Sequence, residues 1–437
     1  MGQRKMAERL LARIWKRQLV LAEKLLIDSG ERVRVIHPGR ENSDRGPDFV
    51  GAMIATSEGR LMRGDIELHL KGSDWRSHGH HRDPTYNAVI LHIVWDGGKE
   101  VVLQSGRTVP TLSLRRCLSG SLDEVRDWSN LPVVPTEPCH NAGRRPRSDE
   151  LVQLLDEAGD ERFRLKAGRF ASSLDDEPPS QALYQGIMGA LGYSKNKKPF
   201  EELSRRLRLG VLEGCCRGKP YWERVVALRA LLLGTAGLLP GDNNGQQERL
   251  WRYLGGEETM SSACWRLFRV RPDNHPVPRL SGAAHLLVRF GDGGGLLESV
   301  LQLINESGPG ADRLEAGFVV HAAEPCFGKK RTLVGQGRAR EIVVNIALPF
   351  IFAWAEATAQ RRLAEQVLAL YRSYPKTCEN GLTRELTTLL LDSNTLGLVD
   401  SARRQQGLIH LAKTFCHQRR CGDCPVSKRL NTVALAC

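Results

Sequence analysis

The sequence of 437 residues predicts an α/β domain at the N-terminal end, followed by a large, mostly α-helical region. Two observations carry this. Between residues 32 and 114, apolar residues alternate with polar ones or run in short stretches, as strands require. From residue 149 onward they recur at helical spacing, with Gly- and Pro-rich joints between the segments.

Residues 6–27 carry Leu10, Leu11, Ile14, Trp15, Leu19, Leu21 and Leu25 near helical spacing, and Ser29-Gly30 ends that helix. Residues 32–37 alternate as a short strand, which Pro38-Gly39 breaks. Residues 49–56 and 61–71 follow as strands about a turn at Ser57-Glu58-Gly59. A polar, His-rich connection and a helical turn at 83–87 lead to residues 88–95. There the run Val-Ile-Leu-His-Ile-Val-Trp implies burial on both faces and a central strand. Asp96-Gly97-Gly98 turns into residues 100–104, and 109–114 keep the β character. Residues 1–120 therefore read as one domain, and 121–148, rich in Pro and Arg, as a linker or arm. Residues 149–400 read as a helical domain, with helices at 149–170, 181–191, 200–209, 221–239, 247–254, 280–290, 296–305, 339–356, 361–374 and 383–391. A last helix at 401–415 opens a Cys-rich tail, 401–437. No fixed-period repeat supports a solenoid.

Lys and Arg number 63 against 50 Asp and Glu, a formal net charge of +13, which favours a polyanionic partner without naming which one. The most apolar run, 342–354, is too short to span a bilayer and contains Asn345 and Pro349, so no membrane segment is expected. The basic start lacks the uncharged apolar stretch of a secretory signal, and the expected location is the cytoplasm. Eleven irregularly scattered cysteines argue against a secreted disulfide framework.

The chemistry concentrates in residues 45–71. Asp48 stands at the start of one strand. On the strand 61–71, Met62, Ile66, Leu68 and Leu70 share one face, expected to point inward; Asp65, Glu67, His69 and Lys71 share the other. Carboxylates beside a base suit a hard divalent cation and a water activator, although a solvated charged face has the same pattern. Asp65 reads as a supporting carboxylate or a salt-bridge partner of Arg63 or Lys71. His78, His80 and His81 lie in a polar loop; we read them as a substrate-facing loop in preference to a metal site. His92 reads as a satisfied core histidine, and Asp74-Trp75 as a loop anchor in preference to a base-stacking element.

This order of elements, with Pro47-Asp48 before the second strand and Glu67-Leu68-His69 on the third, resembles the PD-(D/E)XK nuclease superfamily over the first quarter of the chain. The resemblance implies a mixed sheet with flanking helices. It implies that Asp48 and Glu67 coordinate Mg²⁺ or Mn²⁺, helped by the Leu68 carbonyl, for hydrolysis of nucleic-acid phosphodiesters. His69 occupies the position of the family's Lys; it could orient or deprotonate water, and Lys71 could supply the missing positive charge. The alternative is a non-catalytic nucleic-acid-binding or assembly protein on a degenerate nuclease fold. The whole chain also resembles a bacterial family with only a domain-of-unknown-function label. Its marks are Gly46-Pro47-Asp48-Phe49, Gly64-Asp65-Ile66-Glu67-Leu68-His69, Asp83-Pro84 through His92, Gln406-Gly407-Leu408-Ile409-His410 and the Cys-rich tail.

In that tail, Cys416, Cys421 and Cys424 precede Pro425 at spacings that suit thiolate ligation of a [4Fe–4S] cluster or zinc. The Cys-x2-Cys-Pro ending resembles the cluster loop of endonuclease-III-like glycosylases. Cys378 is the preferred fourth ligand; Cys437 and, for zinc, His417 are the alternatives. Arg403, Arg404, Lys413, Arg419, Arg420, Lys428 and Arg429 beside it form either a phosphate-gripping patch or a solvated basic face. Gly335 and Gly337 before the 339–356 helix offer a weak anion seat.

Overall fold

The computed structural model describes residues 2–42, 45–57, 59–118, 120, 148–239, 245–268, 270–307, 311–323, 330–379, 383, 387, 391, 396–416 and 420–434. The chain divides into two compact units, Met1–Val134 and Pro135–Cys437. The expected linker at 121–148 lies outside the described residues, apart from Ser148.

The first unit opens with helix α1 (Gly2–Arg17). Leu11, Ile14 and Trp15, three and four residues apart, bury one stripe, and the Trp15 indole N–H donates to the Pro38 carbonyl at 2.9 Å. The helix stops well short of residue 27. Gln18 takes a left-handed φ of 51°, which ends the helical turn. Leu25, which keeps the helical spacing in sequence, and Ile27 are buried from an irregular segment that bridges Leu26 to Arg32 and Ile27 to Leu112.

Eight short strands follow: β1 (Val33–His37), β2 (Arg40–Glu41), β3 (Phe49–Thr56), β4 (Leu61–His69), β5 (Val89–Val94), β6 (Val101–Val102), β7 (Thr108–Val109) and β8 (Thr111–Ser113). The main sheet runs β1-β3-β4-β5-β8, with β2 on β3 and a separate β6-β7 ribbon. β1, β3 and β4 are antiparallel neighbours, whereas β4-β5 and β5-β8 are parallel, so the sheet is mixed. A parallel pair needs a crossover. Residues 70–88 supply it, carrying helix α2 (Asp74–Ser77) and two 3₁₀ turns, His80–Arg82 and Pro84–Tyr86.

That crossover changes the expected fate of β4. Ile66 and Leu68 pack with Leu11, Ile14 and Trp15 in the main core, as period two demands. The opposite face is not solvated: Glu67 and His69 are 6% and 1% exposed. Trp75 and Tyr86 of the crossover close over that side with Val89, Val101, Leu103 and Val109 as a second apolar cluster. All six residues of β5 are buried, matching its central position.

The second unit is mostly helical. Its long helix Ser148–Asp176 packs against Ala402–Leu411 and Leu348–Ala357. The main core gathers Leu183, Phe200, Leu231, Val343, Phe350 and Tyr371. The helix expected at 339–356 is broken into Gln336–Ile342, a π-helical turn Val343–Ala347, and Leu348–Ala357. Pro349 accounts for this: it has no N–H to donate, and its ring crowds the carbonyl four residues back, at Asn345, so the turn widens there. Sequence periodicity also passed over a β-hairpin, Val320–Ala323 with Lys330–Val334. Among the described residues no helix is long and apolar enough to cross a membrane.

Candidate metal centre

The buried polar row on β4, β5 and β8 defines the site. Glu67 pairs laterally with His92, and His92 with Thr111, across the parallel strands. At the end of this row, the Thr111 hydroxyl donates to the Lys99 carbonyl at 2.7 Å. Its oxygen therefore accepts from His92 Nδ1, 3.2 Å away. His92 Nε2 is then the acceptor for His69 Nδ1 at 2.9 Å. In the neutral ring of His69 this leaves Nε2 as the lone-pair nitrogen. Burial holds the His92 imidazole down at about 4, so it stays neutral and the chain of donors keeps one direction.

His69 Nε2 faces the crossover. His78 Nδ1 lies 3.2 Å from it, and the Glu67 Oε1 oxygen 3.7 Å. His80 Nε2 is 3.3 Å from the same Glu67 oxygen, is buried, and has no hydrogen-bond partner among the described residues. Gly79 brings His78 and His80 to one place: its φ of 77° is a left-handed turn that a side chain would strain. The segment is pinned by Trp75, whose indole N–H donates to the Val102 carbonyl at 3.1 Å, and by Asp74, which accepts from the Lys71 N–H at 3.2 Å. The Tyr86 ring lies against His80 at 3.9 Å. Each of His69, His78 and His80 thus offers one ligand atom, all within 4.8 Å of one another. His69 and His80 are buried and His78 is exposed, so the group opens to solvent at His78.

The carboxylates are locked beside this group by reciprocal backbone bonds. Asp48 N–H donates to Glu67 Oε2 at 2.9 Å, and Leu68 N–H donates to Asp48 Oδ2 at 3.0 Å. Burial pushes the Asp48 carboxyl up to about 7, with Glu67 adding to the rise. Burial likewise pushes Glu67 up to about 8, against the Asp48 N–H bond that favours its charged form. Glu8 of α1 raises both. Two buried carboxyls beside these imidazoles could hold a divalent cation, and mixed nitrogen and oxygen ligands suit the borderline ions Zn²⁺ and Fe²⁺ better than Mg²⁺.

The structure brings Asp48, Glu67 and His69 together. Lys71 is apart: it lies beyond β4, exposed, and lines a surface cavity with Gly72, Trp75, Gly98 and Val102. Asp65 accepts from the Gly51 N–H at 3.0 Å. His78 and His80 belong to the cluster, whereas the sequence favoured a substrate-facing loop; a His-x-His spacing with a third His on the preceding strand is the signal that could have found them. Glu8 and Thr111 carried no signal in sequence. In the C-terminal segment, Cys378 is exposed, Cys416 half-buried, and Cys424 buried among Leu151, Leu155, Leu408 and Leu411. These described three do not converge as ligands. The Cys421 side chain, His417 and Cys437 lie outside the described residues. Much of the basic tail is occupied internally: Arg403 bonds Asp160 and Asp156, Arg404 bonds Asp156 and Asp400, and Arg420 bonds Asp423.

No curated protein and no solved structure matches the chain. A family match spans residues 8–380, ending before the 406–410 motif and the Cys-rich tail. That span holds the whole site from Glu8 to Thr111 and most of the chain, which therefore belongs to the family described as "Protein of unknown function (DUF2851)".

Proposed function

We propose that the first unit is a divalent-metal-dependent hydrolase of nucleic-acid phosphodiesters, built on a PD-(D/E)XK-like sheet whose usual Lys position has become a metal ligand. The observation that carries this reading is the convergence of His69, His78 and His80 beside the Glu67 carboxylate, with the His69 lone pair oriented from behind by His92. His69, His78 and His80, with Glu67 beside them, would hold the ion. A bound divalent ion would supply Lewis acidity toward a phosphate oxygen and lower the pKa of an attacking water. Asp48, fixed by the Leu68 N–H, is the carboxylate set to orient that water and accept its proton. Arg76 and Arg82, exposed on either side of His78 and His80 in the crossover, meet the flanking phosphates. The net charge of +13 favours the same substrate class.

The test is metal content and cleavage together. Native protein is expected to bind one Mn²⁺ or Zn²⁺ per chain and to cleave single- or double-stranded DNA or RNA in its presence. Glu67→Ala and His80→Ala are expected to lose both. Stoichiometric metal without cleavage, with nucleic-acid binding equal in native and Glu67→Ala protein, replaces this reading with the non-catalytic binding protein.

A further inference from the structure

A second cluster of chemistry-bearing side chains lies in the helical unit. Lys166, on the Ser148–Asp176 helix, donates from Nζ to Asn345 Oδ1 at 2.5 Å and to Gln406 Oε1 at 2.7 Å. Arg162, one turn earlier, donates to the same Gln406 oxygen at 2.7 Å. Both acceptors are neutral amides, so neither cation is neutralised by the group it touches. The Glu341 carboxylate stands behind Asn345: it accepts from Asn345 Nδ2 at 2.6 Å and thereby turns the amide oxygen toward Lys166.

Further positive charge converges on the same place. Arg162, Lys166 and Arg169 follow one another at four and three residues, one face of the helix. Lys413 approaches from the C-terminal helical segment, and Arg162, Arg169 and Lys413 all act electrostatically on Lys166. Burial, then these cations, holds the Lys166 ammonium well below its ordinary range. The two segments facing Lys166 are both π-helical: Asn345 lies in Val343–Ala347 and Lys413 in Ala412–Cys416. Such turns give up regular bonding to re-aim side chains, and they concentrate at functional sites. Lys413 is thus coupled electrostatically to Arg162, Lys166 and Arg169.

We propose that Arg162, Lys166, Arg169 and Lys413 form a binding site for a phosphate group, either a free phosphate or pyrophosphate or a phosphate of a nucleic-acid backbone. The Glu341 carboxylate acts on Arg162 and Lys166, but those two cations bond only neutral amide oxygens directly, so a further anion at Lys166 would be stabilised. A tetrahedral oxyanion matches them best, because an Arg fork and lysine ammonium groups donate to several oxygens at once. Asn345 and Gln406 act as positioning residues that hold Lys166 and Arg162 in place. The site is independent of the metal centre, so either proposal can fail alone.

The experiment uses the full chain with the metal kept constant. Lys166 is modified with an amine-reactive reagent and quantified by mass spectrometry, with inorganic phosphate, pyrophosphate, a short single-stranded oligonucleotide, or sodium chloride of equal ionic strength. Labelling of Lys166 is expected to fall about tenfold with one of the phosphate probes and to stay unchanged in chloride. Protection by phosphate or pyrophosphate identifies a small-anion site; protection by the oligonucleotide alone identifies a backbone contact. The double variant Arg169→Ala/Lys413→Ala, at two exposed positions that leave the buried amides intact, is expected to lose that protection with an unchanged circular dichroism spectrum. Labelling insensitive to all three probes, or full protection retained in the double variant, overturns the proposal.

Discussion

His69 Nδ1 lies 2.9 Å from His92 Nε2, deep in the sheet, and the Thr111 hydroxyl bound to the Lys99 carbonyl sets the direction of that bond. A structural pair of histidines would have no need to leave one lone pair aimed at two further imidazoles. In the proposed role of metal ligand it would serve: the outer partner would fix the ring and raise the basicity of the ligating nitrogen.

His92→Phe keeps the ring and its packing but removes the acceptor for His69. Affinity for Mn²⁺ or Zn²⁺ is expected to fall about tenfold to a hundredfold, measured by titration calorimetry on chelator-stripped protein. Thr111→Val removes the far end of the chain and should weaken binding in the same direction but less. Unchanged affinity in His92→Phe would show that His69 is oriented by something else.

The carboxyls give the metal-free protein a distinctive pH dependence. Asp48 titrates near 7 and Glu67 near 8 in the native state, both raised by burial above the values they have unfolded. Between about pH 4 and pH 8 the native state therefore holds protons that the unfolded chain has released, and stability falls as pH rises. The contribution is fully present below the unfolded values and is lost as pH passes through the native ones. Thermal melts in chelator are expected to shift downward across that window. Saturating metal should remove most of the slope, and Glu67→Gln should flatten it while abolishing the metal effect. A flat metal-free profile would mean that the two carboxyls are already balanced by a cation.

The set Asp48, Glu67 and His69 is legible in sequence because a two-residue period and a strand-turn-strand pattern are local signals. The burial of that set is not local. It depends on residues 70–88 folding back over the sheet and sealing it with Trp75 and Tyr86, which no periodicity on β4 reports. The same limit explains the overlong first helix: Leu19, Leu21 and Leu25 continue the helical spacing, yet the chain after Arg17 pairs with β8 and with the 32 and 118 positions. In the helical unit, apolar spacing found most helices but could not see that Pro349 would convert one turn to π geometry.

Gly64 tests how tightly the proposed metal centre depends on sheet register. A Cβ at this position would overlap the Ala88 carbonyl oxygen and Ile90 Cγ2, just before the register shift between Asp65 and Ile66 that precedes Glu67. Gly64→Ala is expected to cost about 1–3 kcal/mol in urea unfolding of the first unit, with a parallel loss of metal affinity. Metal binding that survives a full-size stability loss would uncouple the ligands from the β4-β5 register.

Asp160 holds the C-terminal helix to the Ser148–Asp176 helix. It is 7% exposed and receives forked bonds from Arg403, both at 2.7 Å, and from Arg372 at 3.4 and 2.6 Å. Burial alone would raise its carboxyl, but the bonds from Arg372 and Arg403 overcome that and lower it, so the pairing is present at neutral pH and lost as pH falls through the native value. Removing the shared acceptor leaves the largely buried Arg403 with Asp156 as its remaining acidic partner and strips the fork from Arg372. Asp160→Ala is therefore expected to destabilise the second unit by about 1.5–3 kcal/mol, the cost of losing charge-assisted hydrogen bonds. Arg372→Ala removes the more exposed partner, leaves the Arg403 fork intact and should cost about 1 kcal/mol or less. Urea unfolding followed by tryptophan fluorescence compares the two; equal costs would mean that Arg403 alone does not satisfy Asp160, and that the three residues act as one unit.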